Sequence, residues 1–426
     1  MVKFDLAHTE VRGFDALTKA PSHWDVLRIA TLFRESQEMG QDGLPVLSVS
    51  INWGISDREL NDDDRHRIVN QIDDKNSYKR VRPGDLVYNM MRAWQGALGV
   101  AKLDGLVSPA YVVARPTRKL HAPYFEYLLR TPIWIEDLRR ASKGIADFRQ
   151  RLYWEHFRQV LVLLPPLSEQ MSIADFLGRE TARINRLIEK KRLFGMSVAC
   201  RIEALVDQAI SDANVPRIRF EHLTQRVSRP VTLSEHDELV RLGLYNRGRG
   251  IFKKPAADEE GMGDSEFFFV ESGDLILSGQ FAWEGAAALA TAEEEGCVVS
   301  HRYPVYRGKS GVNTSYLLGL LRSSYGDFLL NEASRGSAGR NRPLNVRRLG
   351  KEKIPVPGSE LQKAVEQAVD FERRLKRKTE QSIARLEEFR TALITAVVTG
   401  QIDVTTWGKQ GQTDRRLERI EEAMRA

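Results

Sequence analysis

Apolar and polar residues alternate along this chain in two kinds of segment, and the two kinds follow one another twice. Short apolar runs bounded by glycine, such as residues 85–88 and 274–277, are typical of β-strands. After a proline-containing corner, apolar residues recur every three, four or seven positions through two proline-free stretches of about 40 residues each. Those stretches predict two long helices, each roughly 60 Å long at about 1.5 Å per residue.

The segments between the predicted helices form an internal repeat. GDLVYNMMRAWQG (residues 84–96) and GDLILSGQFAWEG (residues 273–285) match without a gap. The blocks VLSVSINWG and VRLGLYNRG, YFEYLLRT and YLLGLLRSS, and the proline corners VLVLLPPLSEQ and KIPVPGSELQ also match. Chance similarity does not keep register over so many blocks, so the sequence predicts a duplicated domain.

These patterns predict an α+β fold. We expect two duplicated mixed α/β domains separated by two long antiparallel helices that form a coiled-coil rod, because each amphipathic helix needs a partner for its apolar stripe. We place the first domain at residues 1–165, the first helix at 166–213, the second domain at 214–356, the second helix at 357–404 and a charged C-terminal tail at 405–426.

Composition narrows the class of protein. The chain has 426 residues, 42% of them hydrophobic, a net charge of +6 and two cysteines outside any metal-binding spacing. The charge is compatible with nucleic-acid binding without establishing it. The cysteine usage argues against a disulfide scaffold and a zinc site. With no apolar run long enough for a membrane span and no signal-peptide pattern, we expect a cytoplasmic protein.

Motifs of common enzymes are missing from the sequence. It contains no P-loop, no GxGxxG between a strand and a helix, no NPPY or DPPY, no HEXXH and no GxSxG. A nuclease-like E-x-K at residues 189–191 lies inside a predicted long helix, where a solvated face is the better interpretation. We therefore expect a binding protein without catalytic residues, metal site or cofactor of its own.

Basic segments occupy the same repeat position in both copies. Residues 139–158 hold six arginines or lysines against two acids, and residues 335–353 hold seven against one. This duplicated excess favours DNA contact, with a solvated, salt-bridged loop as the alternative. Arginines suit guanine or phosphate, and amides suit adenine. The candidate DNA-binding residues are Arg92, Trp94, Gln95, Lys143, Arg149, Gln150, Arg151, Arg247, Gln280, Trp283, Arg335, Ser337, Arg340, Asn341 and Arg342.

The repeated block itself has two interpretations. Asp85 and Asp274 are expected to shape a turn after the glycine. For Trp94 and Trp283, packing in the core or on the sheet is favoured, and stacking on DNA is the alternative.

Longer motifs resemble a known family. LPPLSEQMSIADFLGRETARINRLIEKK follows the first domain, ARLEEFRTALITAVVTGQIDV lies at the end of the second helix, and the GDL block is duplicated. Together they are similar to the specificity subunit of type I restriction–modification systems, over residues 46–404. The second corner, IPVPGSELQK, departs from the PPLSEQ pattern, which puts in doubt its contact with a partner subunit.

The resemblance implies that each domain is a target recognition domain for one half of a bipartite double-stranded DNA site. It implies that the helices set the gap between the half-sites and dock two methyltransferase subunits, which would carry S-adenosylmethionine. It leaves open whether a motor-endonuclease subunit that uses ATP and Mg²⁺ joins them. The alternative is a coiled-coil architectural or adaptor protein whose domains bind other proteins rather than DNA.

Overall fold

The computed structural model describes residues 20–41, 43–52, 54–56, 77–144, 150–263, 265–334, 342–409 and 411–425. Over these ranges the chain is a mixed α+β protein with two long helices, which confirms the predicted fold class. The chain divides into two compact units, residues 1–189 with 382–426, and residues 190–381. We call the globular part of the first unit domain 1 and that of the second unit domain 2.

Domain 1 is built on a four-stranded antiparallel sheet. Its strands are β1 (Asp25–Arg28), β2 (Phe33–Ser36), β3 (Ser48–Ser50), β4 (Gly54–Ser56), β5 (Lys79–Val81), β6 (Leu86–Asn89), β7 (Leu98–Val100), β8 (Gly105–Val107), β9 (Tyr111–Pro116) and β10 (Leu161–Leu164). Its helices are α1 (Ile29–Leu32), α2 (Ala122–Leu129), α3 (Pro132–Ala141) and α4 (Trp154–Phe157). The sheet order is β2-β9-β6-β7, and β1 pairs with β10, β3 with β4 and β5 with β8.

The first long helix, α5 (Leu167–Ser211), follows domain 1, and domain 2 then repeats the same plan. The strands of domain 2 are β11 (Arg217–Arg219), β12 (Thr224–Val227), β13 (Leu239–Tyr245), β14 (Gly250–Ala257), β15 (Phe267–Phe269), β16 (Leu275–Leu277), β17 (Ala287–Leu289), β18 (Val298–Ser300), β19 (Val305–Gly308) and β20 (Lys353–Pro355). Its helices are α6 (Phe220–Leu223), α7 (Glu259–Met262), α8 (Thr314–Leu321), α9 (Ser324–Ala333) and α10 (Val346–Lys351). The sheet β12-β19-β16-β17 matches β2-β9-β6-β7 strand for strand.

The second long helix is α11 (Ser359–Val398), and each unit contains one half of both long helices. In the first unit, Trp24 donates from Nε1 to Glu169 of α5 and packs beside Gly400, just after α11. Further along α5, Asn185 accepts a hydrogen bond from Arg390. Because residue numbers rise along α5 while they fall along α11, the two helices run antiparallel in this unit.

A glycine lets the second unit pack both long helices against domain 2. A β-carbon at Gly319, in α8, would lie 2.7 Å from Val365 of α11 and 3.5 Å from Ile202 of α5. The absent side chain therefore allows α8 to approach both helices closely. The apolar periodicity of the sequence predicted these buried helix faces but not their division between two units.

Two buried side chains join each domain to its long helix in the same way. Gln170 donates to the carbonyl of Pro165 and accepts from the backbone of His121, and Gln362 makes the equivalent bonds with Pro357 and Asn313. Tyr124 donates to the Leu163 carbonyl, as Tyr316 does to that of Pro355. The divergent second proline corner thus keeps the contacts of the first.

A buried aspartate holds the central sheet of each domain. Asp85 accepts from the backbone N–H of Arg82 and from the guanidinium of Arg115 in β9, with an N–O distance of 2.8 Å. Asp274 accepts from the backbone of Glu271 and from Arg307 in β19 at 2.6 Å, and also binds Arg229 at 2.8 Å. The aspartates do shape the turns, as predicted, and they also link one strand to its neighbour.

The C-terminal tail belongs to the first unit. It forms α12 (Val404–Lys409) and α13 (Gln412–Arg425), and Leu417 and Ile420 of α13 are buried in the core of that unit. Trp407 donates to the hydroxyl of Thr413, and Asp414 pairs with Arg183 of α5. A short charged helix is what the sequence GQTDRRLERIEEAMRA indicates, but its charged composition concealed the burial of these two residues.

Asp274→Asn should destabilise the protein by about 3 kcal/mol, because the change leaves Arg229 and Arg307 without their shared buried carboxylate. Urea denaturation of the full chain measures the loss. The control Arg377→Gln, which breaks an ion pair with both side chains more than 60% exposed, should change little. Equal effects of the two substitutions would contradict the central role of the aspartate.

Glu38 should contribute to the acid sensitivity of domain 1. Hydrogen bonds from Arg82 and Arg115 lower its pKa from 4.5 to about 2, so its stabilising effect is present above pH 4.5 and is lost as pH falls toward 2. Glu38→Gln should therefore lower stability at pH 7, by about 1 kcal/mol after solvent screening, and flatten its fall below pH 4.5. Denaturation midpoints against pH, with the exposed Glu418→Gln as control, test this; an unchanged acid slope would refute it.

Candidate nucleic-acid interface

The repeated block ends in the same turn in both domains. Residues Ala93–Gln95 and Ala282–Glu284 form one 3₁₀ turn each, and each turn ends at a glycine in the left-handed region, Gly96 at φ 92° and Gly285 at φ 71°. A left-handed residue is costly for any side chain except glycine, which explains the shared final glycine of the block. We call residues 90–96 and 279–285, the turn segments that contain these 3₁₀ turns, the AW turns.

Both tryptophans of the AW turns are half-buried. Trp94 donates from Nε1 to the carbonyl of Met91, and Trp283 donates to that of Gln280. Neither ring belongs to the buried core of its domain. Each ring is thus fixed by its own turn while one part stays accessible, which keeps both predicted roles physically possible.

The basic segments meet the AW turns through one hydrogen bond that is duplicated. The backbone N–H of Leu152 donates to the carbonyl of Met90 at 2.9 Å, and that of Leu344 donates to Gly279 at 2.8 Å. The two sequence features that suggested DNA contact, separated by about 60 residues in each copy, are therefore adjacent in both domains.

Two further contacts involve the basic segments. In domain 1, Lys143 and Arg151 exchange two backbone hydrogen bonds of 2.9 Å, which close the base of the segment between them. In domain 2, the guanidinium carbon of Arg342 lies 5.0 Å from the ring centre of Trp283, a cation–π contact. Arg342 and Trp283, which the sequence had indicated separately as candidate residues, are thus in direct contact.

The candidate residues differ in what the structure says of them. Side chains that are exposed are those of Arg92, Gln95, Lys143, Arg151, Arg247 and Gln280, and those that are half-buried are Trp94, Gln150, Trp283 and Arg342. Arg149, Arg335, Ser337, Arg340 and Asn341 lie outside the described residues.

A hairpin tip holds Arg247 beside the AW turn of domain 2. Its backbone is left-handed at φ 57°, and its N–H donates to the carbonyl of Glu284 at 2.7 Å. Asn246 donates to the carboxylate of Glu284 as well. A non-glycine residue in this region is uncommon, and here the contacts with Glu284 hold it in place, with the arginine side chain exposed.

Domain 2 has an open groove of about 360 Å³ where the AW turn and the basic segment meet. Gly279 and Gln280 form one wall, and Pro343 and Leu344 form another. The remaining lining residues are Arg226, His301, Arg302, Pro304 and Val346. The groove therefore has apolar walls and arginine side chains, and none of the described residues that line it is a carboxylate.

Some arginines of domain 2 form ion pairs with a carboxylate, and others line the groove. Arg229 and Arg307 bind Asp274, and Arg322 binds Glu372, so their charges are neutralised inside the protein. Across the part of the chain that the structure describes, no carboxylate pairs with Arg226 or Arg302. Burial raises the pKa of Tyr306 to about 12, and the nearby Arg226 opposes that rise.

Some arginines of the basic segments also form ion pairs with neighbouring carboxylates. Arg139 and Arg140 lie at the end of α3 and pair with Glu136, and Arg348 pairs with Glu332. These three contribute to the basic count in the sequence but are neutralised by their neighbours. The excess of positive charge at the interface is smaller than the count suggested.

Arg226, His301 and Arg302 were not among the candidates from sequence. Arg226 lies in β12, outside the basic segment, and His301 and Arg302 are the central residues of the turn SHRY. Comparison of SHRY with its repeat partner SPAY, residues 108–111, would have shown that two cationic residues replace proline and alanine. The turn is closed by the same bond in both copies, from Tyr111 to Ser108 and from Tyr303 to Ser300.

The described residues provide neither a metal site nor a membrane-spanning helix. Among the residues that the structure describes, no group of three or more histidine, cysteine or acidic side chains is arranged to hold a metal ion. Of the helices in those ranges, none combines the length and the apolar character that a membrane span requires.

The fold is that of a chain with duplicated sheet domains and two long helices, and solved structures share it. No protein-family model matches the sequence, and no curated protein matches it. A chain from a structural study of assembly and conformational transition of the type I restriction–modification system matches with a TM-score of 0.58 and 16% identity, over 90% of this chain and 99% of that chain. At this identity the match shows the fold.

Two further matches have lower TM-scores. The HsdS subunit of Thermoanaerobacter tengcongensis has a TM-score of 0.45 and 16% identity, over 90% of this chain and 98% of its own. The type I restriction–modification S subunit of M. genitalium has 0.48 and 12%, over 88% and 96%. At the level of the fold, the match at 0.58 confirms the resemblance that the sequence motifs indicated.

Arg226→Ala and Arg302→Ala should leave the free energy of unfolding within about 0.5 kcal/mol of the parent, because neither side chain pairs with a described carboxylate. Arg307→Ala, which removes a partner of the buried Asp274, should cost about 2 kcal/mol. Urea denaturation of the three variants makes the comparison. If Arg226→Ala or Arg302→Ala destabilises as much as Arg307→Ala, those arginines are structural.

Proposed function

We propose that this chain is the specificity subunit of a type I restriction–modification complex, in which each domain contacts one half of a bipartite DNA site. The chain itself would be non-catalytic and would work in the cytoplasm. Two methyltransferase subunits carrying S-adenosylmethionine would methylate adenine, and the long helices would dock them and set the gap between half-sites. Whether a restriction subunit with ATP and Mg²⁺ joins is left to experiment.

One observation carries this proposal: the same two segments meet in both domains. Leu152 bonds to Met90 and Leu344 to Gly279, so each AW turn lies against a basic segment. A duplicated contact of this kind is expected of a protein that binds two patches of one polymer. The exposed Arg92, Lys143 and Arg247 add positive charge on these segments, which suits phosphate contacts.

Exposed apolar residues on the first long helix support partner docking. Leu193, Phe194 and Met196 follow one another along α5 and are 55%, 51% and 64% exposed, and Phe371 of α11 is 45% exposed. Large apolar side chains grouped on a soluble surface mark protein contacts. Binding of methyltransferase subunits to the helices fits this pattern, and so does the adaptor alternative.

DNA binding should weaken steeply as salt rises, by about 0.9 log units of affinity per log unit of salt for each neutralised phosphate. Lys143→Ala and Arg247→Ala should each reduce that slope by about 0.9 if each side chain contacts a phosphate. Fluorescence anisotropy of a labelled duplex, with the full chain and its methyltransferase partner at several salt concentrations, gives the slopes.

The exposed Arg416 of α13 supplies the matched control, because Arg416→Ala removes the same charge from a helix that carries none of the candidate DNA-binding residues and is not one of the two long helices. Its slope should equal that of the parent. A parent chain whose DNA affinity ignores salt would defeat the proposal and favour the adaptor protein. Sequencing of methylated adenines in the host then identifies the bipartite site.

A further inference from the structure

The two domains share one scaffold, yet their chemistry differs around one position. Register places Glu35 of β2 opposite Ala114 in domain 1, and Arg226 of β12 opposite Tyr306 in domain 2. These pairs occupy equivalent places in the matching sheets β2-β9-β6-β7 and β12-β19-β16-β17. Domain 1 therefore has a carboxylate where domain 2 has a guanidinium.

The turns SPAY (residues 108–111) and SHRY (residues 300–303) also differ in charge, and again domain 2 has the cationic residue. Pro109 and Ala110 stand between Ser108 and Tyr111, where domain 2 has His301 and Arg302. The backbone bonds that close both turns are equivalent, so the change affects side chains alone.

The walls of the groove change as well. Met91 of domain 1 is equivalent to Gln280 of domain 2. In each case the backbone N–H donates to the side chain two residues earlier, which is Asn89 in domain 1 and Ser278 in domain 2. Arg151, next to Leu152, stands where domain 2 has Pro343. Among these equivalent positions, domain 1 therefore has one carboxylate and one guanidinium, whereas domain 2 has two guanidinium groups, an imidazole and an amide.

We propose that the groove of domain 2 binds the acceptor edge of a guanine, with Arg226 and Arg302 as the specificity-determining residues and Gln280 beside them. This inference rests on the proposed function, because it names the base that one of the two domains recognises. Guanine presents O6 and N7 as neighbouring acceptors in the major groove, and arginine binds the pair in a bidentate manner.

Two features favour a base edge over a phosphate at this position, and a third suits either ligand. Arg226 and Arg302 line an open groove rather than a flat surface, and Pro304, Pro343, Leu344 and Val346 supply apolar walls that suit the non-polar parts of a nucleotide. Gln280 adds an amide with both donor and acceptor atoms. Both arginines also lack a described carboxylate partner that a base would have to displace.

The experiment exchanges residues between the domains. Arg226→Glu, Gln280→Met and Arg302→Ala each introduce into domain 2 the residue that domain 1 has at the equivalent position, and Arg416→Ala again serves as the charge-loss control. The full chain, together with its methyltransferase partner, selects duplexes from a random library, and the selected sequences are compared.

The parent should select a bipartite motif with a G·C pair in one half-site. Arg226→Glu and Arg302→Ala should lower the preference for that pair by about 5- to 100-fold, the range expected for one bidentate arginine–guanine contact. The other half-site should stay unchanged in both variants, and Arg416→Ala should select the parental motif.

Other outcomes overturn the inference. If both variants lose affinity equally for every sequence and keep the parental motif, the arginines contact phosphate, and the inference fails while the proposed function stands. An unchanged motif with unchanged affinity has the same consequence. If the parent selects no motif at all, the proposed function fails and the inference fails with it.

Discussion

The buried ion pair between an aspartate and an arginine of the neighbouring sheet strand is the constraint on which the rest of each domain depends. Asp85 and Asp274 are 2% and 0% exposed, and each holds its own turn while it binds Arg115 or Arg307 across the sheet. A carboxylate this deeply buried requires a charged partner, so strand register and turn geometry are fixed together. The AW turn leaves the sheet at the other end of the same strand, and its position relative to the basic segment follows from that register.

Because the framework is held by such internal contacts, the residues around the interface can change without loss of the fold. Buried glutamines, tyrosine hydroxyls and the bonds of Leu152 and Leu344 recur in both domains at equivalent positions. By contrast, Glu35 and Arg226 occupy equivalent positions with opposite charge. A protein that must bind two different half-sites with one scaffold needs this combination of a constant interior and a variable rim.

The sequence patterns predicted the helices, strands and turns, but they predicted little of how these elements pack together. The long helices, the duplication and the turn-forming aspartates were all evident from periodicity and repetition. The ion-pair partners Arg115 and Arg307 were not, because strand pairing brings together residues about 30 positions apart. The packing of the charged C-terminal helix was not evident, because its two buried residues, Leu417 and Ile420, carry too weak a pattern among so many charges. The division of each long helix between two units also depends on tertiary contacts alone.

The candidate site shows the same limit in its electrostatics. Counting arginines along the chain treats Arg139, Arg348 and Arg302 as equal, whereas the structure pairs the first two with carboxylates and places the third in a groove where no described carboxylate lies. A charge that is neutralised by a neighbour contributes little to the field that attracts an anion, and an unneutralised charge beside apolar walls contributes more. The modest net charge of +6 is therefore compatible with a groove in one domain that holds two arginines without a described carboxylate partner. The distribution of partners, rather than the number of basic residues, decides where an anionic polymer can bind.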